Sequence, residues 1–134
     1  MKALAKIRID PPSSPAALTQ WFAMGGAGVA WFFQEIFGYW ISQGNCAESS
    51  SGWGSGAQFW TIVASAMAAV IAIAAGLVAV GLFRGTLEAE TDGGAPPGRV
   101  RFLAIVGMAM TPLFLAIIVM NGVGAGVLSP CQTS

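Results

Sequence analysis

Apolar residues fill three long stretches of this chain, at 16–43, 58–83 and 102–128, and polar residues gather between them. Each stretch exceeds the roughly 20 apolar residues that a helix needs to cross a bilayer. The intervening segments read as loops. Residues 1–15 carry Pro11, Pro12 and Pro15 and cannot continue a helix before the first stretch. The segment 44–57 is rich in Gly and Ser, and 84–101 holds Glu88, Glu90, Asp92 and the run Gly93-Gly94-Ala95-Pro96-Pro97-Gly98. Residues 129–134 form a short tail. The pattern predicts an all-α membrane protein of three transmembrane helices in one membrane domain, 1–134.

Composition narrows the chemistry. Of 134 residues, 55% are hydrophobic and 9% charged, against about 25% charged in soluble domains. Six Lys/Arg balance six Asp/Glu, leaving no net charge to attract nucleic acid. There is no His, which removes imidazole metal ligands and every Ser-His or Cys-His catalytic pair. Two Cys are too few for a four-thiolate metal site within one chain. The chain is therefore expected not to be an enzyme by itself, and to bind no cofactor or metal alone. Met108, Met110 and Met120 read as packing residues rather than haem ligands.

Charge placement predicts orientation. Lys2, Lys6 and Arg8 precede the first span, Arg84 ends the second, and Arg99 and Arg101 open the third. With three spans all of these fall on one side, which the positive-inside rule makes cytoplasmic. The N-terminus is then cytoplasmic and the C-terminus periplasmic, in a multi-pass protein of a bacterial inner membrane. Trp21 near one boundary and Tyr39, Trp40, Trp53 and Trp60 near the other suit the interfacial aromatic belts. The first span is too long for a signal peptide and reads as uncleaved. Cys46 and Cys131 both fall on the oxidising outer side, which predicts a disulfide between them. The alternatives are two unrelated small apolar residues or ligands to a metal shared with another chain.

Within the spans, a few residues stand out. Ala64, Ala68, Ala72 and Gly76 recur every four positions, a smooth strip for close helix approach, either within the chain or against a larger partner. Gly25, Gly26 and Gly28 add small residues in the inner half of span one. Pro112 should bend the third helix. Asn121 and the glycines after it are expected to end the regular helix near Asn121. Trp31 lies deep in span one and its indole needs an acceptor, so it is expected to face protein. Gln34 and Glu35 are the most polar residues inside a span. An intramembrane acid suggests a proton relay, a polar contact to a partner, or interfacial solvation.

The stretches Gly25-Gly26-Ala27-Gly28-Val29-Ala30-Trp31 and Arg101-Phe102-Leu103-Ala104-Ile105-Val106-Gly107, with the ending Leu128-Ser129-Pro130-Cys131, resemble small three-span bacterial proteins associated with haem-copper cytochrome c oxidases. The match touches about a sixth of the chain. A His common in that family near the position of Gln34 and Glu35 is missing here, so its role does not carry over. The resemblance implies a non-catalytic accessory subunit of a respiratory membrane complex, with haem and copper held by partner subunits and lipid around the chain. The partner-interface candidates are Trp31, Gln34, Glu35 and the strip Ala64, Ala68, Ala72 and Gly76. An oxidase assembly factor, or a small homo-oligomeric transporter or channel using Glu35, are the alternative readings.

Overall fold

A computed structural model describes residues 15–47, 54–91 and 98–128. They form three helices and, among the described residues, no strand: α1 Pro15–Ala47, α2 Gly54–Thr91 and α3 Gly98–Val127. Pro15 takes the first helical position of α1, where its missing N–H costs nothing. Two of the helices, α2 over Gly56–Glu88 and α3 over Gly98–Val127, are long and apolar enough to cross a membrane. In α1 the apolar sequence is broken by Gln20, Gln34, Glu35, Ser42 and Gln43.

The helices overrun the apolar stretches at most of their ends. Residues 44–47, 54–57, 84–91 and 98–101, expected in loops, are helical. The 38 residues of α2 extend about 57 Å, well beyond a hydrocarbon layer of about 30 Å. The third helix also corrects an expectation: it does not stop near Asn121 but runs to Val127, and Leu128 N still donates to Gly124 O at 2.8 Å. Of the glycines there, Gly122 is packed closely, whereas a Cβ on Gly124 or Gly126 would meet nothing within 4 Å. A Cβ on Gly122 would sit 3.0 Å from the Cβ of Ser65, and Gln58 Nε2 of α2 donates to Gly126 O at 2.9 Å. Close approach of α2 thus holds a weak helical sequence in place.

The helices run up, down and up. Ala23 and Ala79 flank Gly107 at one level, and Gln34, Ser65 and Ile118 meet at another. Each helix turns a seam of buried residues inward with alternating steps of three and four. On α1 the seam is Gln20, Ala23, Ala27, Ala30 and Gln34; on α2 it is Ser65, Ala68, Ala72, Ala75, Ala79, Leu82 and Thr86. On α3, Val100, Ala104, Gly107 and Ile118 are buried, with the half-buried Thr111 and Phe114 in phase between them. This is the heptad spacing that lets nearly parallel helices stay in contact over many turns.

The seams are built from small residues, and the large apolar side chains point outward. Phe32, Phe33, Ile36, Phe37, Val70, Leu77, Leu113 and Met120 are all exposed. Alanine and glycine allow the backbones to approach, and the carbonyl oxygen of Ala23 lies where a Cβ on Gly107 would have to go. At the end where α2 finishes and α3 begins, the Arg101 guanidinium lies 5.7 Å from the Phe83 ring centroid.

Candidate polar node

Gln34 occupies the last seam position of α1, one turn beyond Ala30, so its side chain enters the space between the helices. Its amide nitrogen donates to Ser65 Oγ at 2.7 Å and to Ile118 O at 3.3 Å. One side chain thereby ties all three helices together. Ser65 lies on the α2 seam one turn before Ala68, and its hydroxyl donates back to Thr61 O at 2.9 Å. The Thr61 hydroxyl likewise donates to Ala57 O at 2.9 Å. These i−4 bonds orient the Ser65 oxygen so that it accepts from Gln34.

The network also fixes the amide orientation. Ile118 O can only accept, and the Ser65 proton is directed at Thr61 O, so the nitrogen of Gln34 must face both. Gln34 Oε1 is then buried with no hydrogen-bond partner among the described residues. One turn earlier, Trp31 packs against the buried cluster of Ala27, Ala30, Ala68, Ala72 and Ile118. Its ring centroid lies 5.6 Å from that of Phe114. Trp31 therefore faces protein, as its sequence position suggests. The expected acceptor is missing among the described residues: Trp31 Nε1 is buried and unpartnered.

Glu35 turns the other way, onto the exposed flank between α1 and α3, where its Oε1 accepts a hydrogen bond from Asn121 Nδ2. Exposed Phe32 and Ile36 lie within a turn of Glu35, and exposed Ile117 and Met120 within a turn of Asn121. A polar pair thus sits amid apolar surface.

The strip at four-residue intervals is divided by the fold. Ala68 and Ala72 are buried in the chain's own core, while Ala64 and Gly76 are half-buried. Gly76 lies against α3, where an added Cβ would stand 2.7 Å from Thr111 Cγ2. Ala68, Ala72 and Gly76 are therefore engaged by neighbouring helices of the same chain. Ser65, Ala75 and Ala79 belong to the true seam. Ser65 and the Ile118 carbonyl complete the node and Asn121 completes the exposed pair, and none is marked by the apolar pattern alone. The signal that finds Ser65 is its three-residue offset from Ala68 in the heptad phase.

The cysteine pairing lies outside what is described. Cys131 is not among the described residues, and only the backbone of Cys46, in the last turn of α1, is. Among the described residues no group of three or more Cys, Asp or Glu converges as a metal site would require. No match to this chain was found among protein-family models, curated proteins or solved structures.

Proposed function

We propose that the chain crosses a bacterial inner membrane three times, N-terminus inside and C-terminus outside, and acts as a non-catalytic accessory subunit of a respiratory complex, with a haem-copper cytochrome c oxidase the first candidate. The apolar outer faces of all three helices support lipid immersion of α1 together with α2 and α3. The basic residues at the chain start and at the α2–α3 end support the orientation.

The Glu35–Asn121 pair carries the subunit reading. Glu35 follows Trp21 by about 21 Å along α1, inside the outer half of a bilayer. A charged group at the bilayer centre costs about 2.5–3.5 kcal/mol, and less toward the interface. Asn121 satisfies one carboxylate oxygen and leaves the flank open to a hydrogen-bond donor or cation on a neighbouring membrane helix. A partner subunit supplying that donor removes the cost and fixes the docking register.

The test is purification of a tagged chain from its native membrane in mild detergent, followed by haem spectroscopy and mass spectrometry. Stoichiometric co-purification with oxidase haem is the expected result. Association only with immature oxidase would identify an assembly factor instead. A haem-free homo-oligomer whose ion flux changes in Glu35→Gln would identify a channel or transporter.

A further inference from the structure

The two unpartnered atoms of the node are complementary. Trp31 Nε1 is a donor with no acceptor, and Gln34 Oε1 is an acceptor with no donor. They come from side chains three residues apart on α1, a spacing that places neighbours on one helix face. The indole packs on the cluster that contains Ile118, and the Gln34 amide nitrogen lies 3.3 Å from the Ile118 carbonyl oxygen. Gln34 is only 6% exposed, so neither lipid nor bulk solvent reaches its free oxygen.

An amide flip does not repair both atoms. Flipping the Gln34 amide would turn its oxygen toward Ile118 O, an acceptor, and toward a Ser65 hydroxyl whose proton is directed at Thr61 O. The Trp31 ring is held against Phe114. What satisfies the pair is a small neutral molecule that accepts and donates at one point.

We propose that Trp31 Nε1 and Gln34 Oε1 bind one internal water molecule, which accepts from the indole N–H and donates to the amide oxygen. Buried waters make about two to four hydrogen bonds to otherwise unsatisfied polar groups, and these two atoms supply two. This water belongs to the three-helix node itself and extends it by a turn toward the Ala-lined middle of the bundle. It is independent of whether a partner docks on the Glu35 flank.

The test uses the full chain in lipid nanodiscs with 15N-labelled indoles. The Trp31 signal is identified by its loss in Trp31→Phe. Magnetisation transfer from the water resonance to Trp31 Nε1–H, with the sign of a long-lived dipolar contact, is expected in the unaltered protein. It should vanish in Gln34→Leu while the other indole signals keep their positions. Lack of that transfer in the unaltered protein overturns the proposal, whatever the variant does. So does a transfer that persists unchanged in a folded Gln34→Leu, or an indole shift showing direct bonding to a side chain without water contact.

Discussion

At the residue scale, Gln34 joins three helices, yet its replacement by a residue of similar volume is expected to be mild. Ser65 keeps its own bond to Thr61 O in Gln34→Leu. Hydrogen bonds between membrane helices average about 0.6 kcal/mol, so Gln34→Leu should stay within about 1 kcal/mol of the unaltered protein. Gln34→Ala also opens a cavity, and should cost about 2 kcal/mol more than the leucine variant. Unfolding in mixed detergent micelles measures both, and equal losses would refute the packing account. Gly107 gives the converse case. Its added Cβ would overlap Ala23 O and stand 3.1 Å from Ala79 Cβ, whereas Gly38 has open space around it. Gly107→Ala should destabilise by about 1–3 kcal/mol, while Gly38→Ala should gain up to about 1 kcal/mol from helix propensity. Thermal unfolding in detergent compares the two. Gln34 and Glu35 were visible in the sequence because polar residues interrupt an apolar run. Their partners were not: a serine in an Ala-rich helix and a backbone carbonyl carry no pattern of their own, and Asn121 resembled a helix end.

At the element scale, the seam period decides which faces meet. Ala64, Ala68, Ala72 and Gly76 share an interval of four, but each such step turns about 40° past a full circle. The row therefore drifts off any straight contact face, which is why its middle is buried and its ends are only half so. Steps of three and four alternate around that drift and keep Ser65, Ala68, Ala72, Ala75 and Ala79 inside. Three helices and their apolar character were thus readable from composition, while the facing required the antiparallel pairing that the folded chain supplies. Gly76 and Thr111 form a testable contact between α2 and α3. The Thr111 hydroxyl donates to Gly107 O at 2.7 Å, which holds its methyl against Gly76. Gly76→Ala should destabilise by about 1–2 kcal/mol. In Thr111→Ser, which lacks the methyl but keeps the hydroxyl, the same change should cost at least about 0.5 kcal/mol less. A double-mutant cycle by unfolding measures the coupling, and strict additivity would remove the contact from the account.

At the scale of the whole molecule, one contact joins the chain's ends to its proposed orientation. The Glu35–Asn121 hydrogen bond fixes α1 and α3 in register, both running toward the same end of the bundle. Cys46 and Cys131 follow that contact by nearly equal lengths of chain in the sequence. Arg84 lies about two turns before the end of α2, and Arg99 and Arg101 open α3, at the opposite end. If the basic end is cytoplasmic, the thiols meet in an oxidising compartment, where a disulfide persists. The bond should therefore form within one chain: alkylation of the unreduced protein should leave both thiols unmodified, and reduction should release two. Cys46→Ser should expose Cys131 to a membrane-impermeant maleimide in intact cells. In a Cys46→Ser, Cys131→Ser background, Ser14→Cys should react only after the membrane is opened. Labelling of that N-terminal cysteine from outside would reverse the proposed orientation and place the native thiols in a reducing compartment, leaving the disulfide without a chemical basis.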